Sequence, residues 1–144
     1  MTQSAPPVVS RSILCVDDNP AVAEAVRELV TRSGEFTWCG SLPDASGVVA
    51  YAQQHQPFVT LLDVDMPGPP SFDIVARLSR ETTTRAMIFS GNVTRDLVQG
   101  AIDHGAWGFF LKSDGNEALM ECLRKVAAGE LAFSPEPALL YQLI

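Results

Sequence analysis

Short apolar runs recur along the chain, and each stops at a polar residue. Ile13-Leu14-Cys15-Val16 ends at Asp17-Asp18, and Phe58–Leu62 ends at Asp63. Ala86–Phe89 ends at Ser90-Gly91, and Trp107–Leu111 ends at Lys112. Phe36–Cys39 is a fifth run. Nearly unbroken apolar runs of this length read as strands buried on both faces, the habit of parallel sheets. Between them, apolar residues recur at helical spacing. Val22, Val26, Leu29 and Val30 form the first such stripe, with Asn19-Pro20 as its start signal and Gly34 as its stop. Asp44 is the expected cap of a second helix carrying Ala45, Val48, Val49 and Ala52. Ser71 is the expected cap of a third, with Ile74, Val75 and Leu78. Leu97, Val98, Ala101 and Ile102 mark a fourth, weakened by Gly100. Ser113 or Asp114 is expected to cap a fifth, with Leu119, Leu123 and Val126 inward and Gly129 at its end. Five strands alternating with five helices predict an α/β fold, a doubly wound parallel sheet covered on both faces.

Composition narrows the class. The 144 residues suffice for one domain with a real core, and 47% are hydrophobic, an ordinary globular share. The chain shows no apolar run of membrane-spanning length, and MTQSAPPVVSRS does not read as a secretory signal, so the expected location is cytoplasmic. The formal net charge is −7 and the ten basic residues are scattered, which argues against direct nucleic-acid binding. Cys15, Cys39 and Cys122 are widely spaced and read as reduced thiols, and His55 and His104 lack metal-ligand spacing. The expected division is a flexible leader over 1–11, a folded domain over 12–129 and a C-terminal tail or linker over 130–144.

The polar residues at the strand ends carry the chemistry. In a parallel sheet all carboxyl ends lie on one edge, where ligands bind in open α/β folds. Asp17, Asp18, Asp63, Ser90 and Lys112 therefore converge. Crowded carboxylates repel one another unless a cation compensates, and a hard divalent ion with oxygen ligands is the natural partner. An ammonium and a hydroxyl suit the oxygens of an anion. One cation, one lysine, one hydroxyl and one free carboxylate describe a phosphoryl-transfer site, where a carboxylate can itself be the nucleophile. Read one at a time, each residue has a blander explanation: a helix-dipole partner, a solvated charge, a turn residue.

VDDNP at 16–20, LLDVDMPG at 61–68, IFSG at 88–91 and FFLKSD at 109–114 together resemble the receiver domain of bacterial two-component response regulators. Each motif alone is weak; four in order, each at a strand end, are specific. The resemblance covers roughly residues 12–128. It implies a flavodoxin-like (βα)5 fold with strand order 2-1-3-4-5. It implies that Asp63 accepts a phosphoryl group from a histidine kinase or phosphotransfer protein. Asp17, Asp18, Asp63 and the backbone carbonyl of Asp65 would hold Mg²⁺ or Mn²⁺. Ser90 and Lys112 would bind the phosphoryl oxygens, and Ser90 with Phe109 would switch the helix-four/strand-five surface toward a downstream protein or a second copy. Such a domain is a phosphorylated signalling module rather than a turnover enzyme. Phe109 stands where the family often has Tyr, Ser90 where Thr is commoner, and Ser113 where Pro is frequent. A non-proline cis bond is costly, so a trans Lys112–Ser113 bond is expected.

Two other readings compete. LLDVDMPG also resembles the Asp-x-Asp motif of haloacid-dehalogenase-type phosphatases, although there it follows the first strand. A non-phosphorylated interaction module of the same fold is the third. The segment AAGELAFSPE resembles the end of receivers that carry a LuxR-type helix-turn-helix, and the tail finishes on Leu139, Leu140, Tyr141, Leu143 and Ile144.

Overall fold

The computed structural model describes residues 11–66 and 71–144. Most of the expected leader and the turn at Pro67-Gly68 lie outside the described residues. Six strands form one parallel sheet in the order β2-β1-β3-β4-β5-β6. They are β1 (Ser12–Val16), β2 (Thr37–Leu42), β3 (Val59–Leu62), β4 (Arg85–Ser90), β5 (Gly108–Leu111) and β6 (Ala132–Phe133). The helices are α1 (Pro20–Ser33), α2 (Val48–His55), α3 (Ser71–Glu81), α4 (Arg95–Asp103), α5 (Asn116–Ala127) and α6 (Pro135–Tyr141). The expected order 2-1-3-4-5 is present and is extended by one short strand.

Strand side chains alternate between faces, which divides the interior into two layers. Ile13, Cys15, Leu61, Met87, Phe89 and Phe110 pack with α1 and α5. Leu14, Val16, Leu62, Ile88 and Phe109 pack with α2, α3 and α4. Burying each large side chain contributes about 1.5–3 kcal/mol, so burial on both faces is what holds the central strands. The polar member of β3, Thr60, is fully buried and shares a hydrogen bond with Thr84 at 2.8 Å, which offsets its desolvation.

Local starts and stops differ from the sequence reading in four places. Asn19 caps α1 as expected, accepting from the Ala21 N–H at 3.0 Å, and Gly34 closes it with a left-handed φ of 69°. Asp44 accepts from the Ser46 N–H at 2.9 Å, yet α2 starts only at Val48, after Gly47, three residues later than expected. Ser71 is the first residue of α3, and its hydroxyl donates to the Asp63 carbonyl at 3.1 Å. Ser113 and Asp114 lie in a 3₁₀ turn, Lys112–Asp114, and Gly115 precedes α5 in their place. Strand β2 runs past Cys39 to Leu42 because a bulge lets Ile13 face Trp38 and Leu14 face Gly40. Cys15 and Cys122 are buried free thiols and Cys39 is half-buried. Among the described residues every peptide bond is trans, Lys112–Ser113 included.

The C-terminal segment is ordered on the sheet rather than lying apart from it. Ala132 and Phe133 pair in parallel with Gly108 and Phe109. Helix α6 then lies against α4, with Leu140 in the same apolar layer as Phe109.

Candidate functional site

Strand order reverses between β1 and β3, which lie side by side, and the site forms at that crevice. The ladder continues one residue beyond each strand: Asp17 N–H donates to Leu42 and Asp63 N–H to Val16, both at 3.0 Å. This fixes where the two carboxylates emerge. Both residues are buried, Asp17 at 3% exposure and Asp63 at 4%, while Asp18 is exposed.

Each buried carboxylate is held on two sides. Asp17 accepts from the Asn19 N–H at 2.8 Å, and Asp63 accepts from the Asp65 N–H at 2.9 Å. Lys112 reaches across from the end of β5. Its Nζ lies 2.6 Å from Asp17 Oδ2 and 3.2 Å from Asp63 Oδ2, and 5.1 Å from the centre of the Phe89 ring. The ammonium thus binds Asp17 tightly and gives Asp63 a weaker share. Burial alone would lower the lysine pKa; the hydrogen bond to Asp17 and the field of Asp63 outweigh it, and the net shift is upward. For Asp63 burial is the largest influence and wins, so its carboxyl lies above the usual range despite the Asp65 N–H and Lys112. Behind them Cys15 is pushed up to about 12 by burial and then by Asp17, which keeps its thiol neutral.

One ligand oxygen from each of Asp17, Asp18 and Asp63 lies within 4.8 Å of the others. Among the described residues no other cluster of three or more acidic, cysteine or histidine side chains has this spacing. Three carboxylates opposed by one ammonium leave excess negative charge, and all the donors are hard oxygens. The set fits a divalent ion of the magnesium type.

The remaining expected residues are differently engaged. Ser90 is fully buried at the end of β4, and its hydroxyl donates to the Asn92 carbonyl at 2.8 Å while accepting from the Asn92 N–H at 3.2 Å. Phe109 is fully buried beneath the α4 layer. The Asp65 side chain is exposed, and it is the backbone N–H of Asp65 that touches Asp63. His55 ends α2 on the surface, and His104 at the end of α4 hydrogen-bonds the Gly100 carbonyl at 2.7 Å. Three contributors escaped the sequence reading. Asn19 was seen only as a cap, although its backbone also orients Asp17. Ser71 was likewise seen only as a cap, although it fixes the Asp63 carbonyl. Gly108 lies inside a predicted strand, a placement that flags close approach by another backbone. A Cβ there would sit within bonding distance of the Ala132 carbonyl oxygen.

A parallel sheet presenting paired aspartates, a third carboxylate and a lysine at its switch point defines a phosphoryl-handling α/β module. The model of the response regulator receiver domain family matches residues 13–124, and the chain belongs to that family. SgaR of Hyphomicrobium methylovorum, described as a probable transcriptional regulatory protein, is 28% identical over 128 residues, covering 88% of this chain and 61% of SgaR. The nitrate/nitrite response regulator NarL of Escherichia coli K12 is 29% identical over 124 residues, covering 85% of this chain and 57% of NarL. The chain thus spans about three fifths of the length of these relatives. A LuxR-family two-component response regulator from Aurantimonas has the same fold, with a TM-score of 0.86 at 24% identity over 94% of this chain and 97% of that one. The signal receiver domain of NarL from Mycobacterium tuberculosis superposes with a TM-score of 0.72 at 28% identity, covering 80% of this chain and 97% of that one. No helix among the described residues is long and apolar enough to cross a membrane.

Proposed function

We propose that Asp63 is the phosphoacceptor of a two-component signalling pathway. The observation that carries this reading is the placement of Asp63: buried at the switch point, with Lys112 on one oxygen, the Asp65 N–H on the other, and Asp17 and Asp18 alongside. An Asp63 oxygen attacks the phosphorus of a phosphohistidine on a histidine kinase or phosphotransfer protein. The P–N bond breaks, the imidazole keeps its electron pair, and an acyl phosphate remains. Lys112 then faces the phosphoryl oxygens, and Ser90 supplies a hydroxyl donor once it leaves Asn92. Asp17, Asp18, Asp63 and the Asp65 carbonyl are the groups to hold Mg²⁺ or Mn²⁺, which when bound neutralises phosphoryl charge. Residues 12–129 form the receiver unit, and movement of Ser90 and Phe109 alters the α4/β5 surface.

The chemistry is tested with acetyl phosphate and Mg²⁺. The expected product carries one phosphoryl group that hydroxylamine removes, as befits an acyl phosphate. A hydroxylamine-stable adduct contradicts the reading.

Asp65 sets the lifetime of that product. Its exposed carboxylate stands two residues past the acceptor, where it can orient an attacking water. A positioned base contributes about 10²-fold or more, whereas charge repulsion at an exposed site is worth roughly 1 kcal/mol. The phosphoryl half-life in Asp65→Asn should therefore lengthen at saturating Mg²⁺. An unchanged or shorter half-life excludes Asp65 as a base.

A further inference from the structure

We propose that β6 and α6 form a latch on the switch, docked in the unphosphorylated protein and released by phosphorylation of Asp63. The proposal rests on the receiver reading above and concerns how that site is regulated. The latch is built onto the strand that carries Phe109. Ser134 N–H donates to the Phe109 carbonyl at 3.2 Å, and the Leu111 N–H donates to the buried Ser134 hydroxyl at 2.9 Å. Ala132 N–H donates to the Trp107 carbonyl at 2.9 Å. The last residues of β5 before Lys112 are thus tied to this segment. Only a glycine at 108 lets the two backbones come so close.

Side chains complete the closure. Phe133 faces Phe109 across the ladder and stacks on Tyr141 of α6 at 4.2 Å between ring centres. Leu140 packs into the layer that holds Phe109, Val98 and Ala101. Phe109 has no exposure, and α6 lies on α4, the face whose change would carry the signal.

The docked latch coexists with a Ser90 hydroxyl committed to Asn92. Asn92 lies just before α4, whose cap is Thr94. Drawing Ser90 to a phosphoryl oxygen breaks both bonds to Asn92, frees the 91–94 loop and shifts α4 beneath α6. Phe109 cannot change its packing without disturbing Phe133 and Leu140. The coupling is reciprocal: what phosphorylation does to the latch, loosening the latch does to phosphorylation. A helix of seven residues held by a two-residue strand is also the kind of unit that opens locally before the core does.

The experiment is amide hydrogen exchange on the full chain with Mg²⁺, with and without beryllofluoride. Loading is expected to speed exchange at Ala132 and Ser134 by about tenfold or more while α1 and β1 stay protected. Beryllofluoride bound with unchanged protection at these amides overturns the latch. A second arm uses Leu140→Gln with no phosphoryl mimic present. Exchange at the Asn92 amide should rise, and beryllofluoride should then bind more tightly than to the wild type. A variant with loosened Ala132 and Ser134 amides but an unaltered Asn92 amide also overturns it. The exchange readout of that arm needs no mimic, so it judges the latch even if beryllofluoride fails to bind, a result that would count against the receiver reading.

Discussion

Lys112→Met is expected to lose phosphoryl transfer and to make stability more dependent on divalent cation. The first effect follows from charge. Loss of one preorganised donor to a developing oxyanion costs about 10²–10³-fold in rate, and Lys112 is the cation that bridges Asp17 and Asp63. The second follows from burial. Without the ammonium, two buried carboxylates face one another unpaired. Breaking a buried pair costs about 3–5 kcal/mol; the Lys112 side chain is 24% exposed, so about 2–3 kcal/mol is expected at pH 7 in chelator. A divalent ion that binds only the folded state restores about 2.7 kcal/mol at a hundred times its Kd. Urea unfolding with chelator and with excess Mg²⁺ measures both. The variant should be destabilised in chelator and recover in Mg²⁺. A variant as stable as wild type in chelator shows that Lys112 does not hold the carboxylates together.

Asp63→Asn should melt higher than wild type at pH 7 in chelator. The folded-state carboxyl of Asp63 is shifted upward, because burial outweighs its two hydrogen-bond donors. Its contribution to stability is therefore complete below the unfolded value of about 3.9 and is lost as pH rises through the folded value. At pH 7 the ionised group costs stability, and an amide of the same shape removes that cost while still accepting from the Asp65 N–H, although its NH₂ then faces Lys112 and offsets part of the gain. The advantage should shrink as pH falls into the carboxylate range, where wild type becomes protonated. Thermal melts across that range test the sign. An advantage that grows on acidification contradicts the burial argument.

Much of this site could be read from the chain, for a physical reason. Parallel strands place every carboxyl end on one edge, so Asp17, Asp63 and Lys112 had to meet wherever the intervening helices lay. Their contacts bear this out at 2.6 and 3.2 Å. Helix starts were harder. Asp44 and Ser113 are good capping residues, but α2 follows Gly47 and Ser113 is taken up by the turn after β5. Cap choice depends on competing partners that spacing does not reveal. The tail was harder still. Ala132 and Phe133 are too few to show alternation, and their place in the sheet depends on Gly108 far along the chain. Pro135 opens α6, where a missing N–H costs nothing. The commitment of Ser90 to Asn92 could not be read at all, since a hydroxyl's choice among nearby carbonyls is set by tertiary geometry.

The destination of the phosphoryl group decides whether Asp63 is the acceptor. Wild type and Asp63→Asn are incubated with acetyl phosphate and Mg²⁺, and intact mass is followed by peptide mapping. Wild type should gain one phosphoryl group on the peptide containing Asp63, and Asp63→Asn should gain none while remaining folded. An adduct of undiminished yield in Asp63→Asn would contradict the assignment of Asp63 as the acceptor.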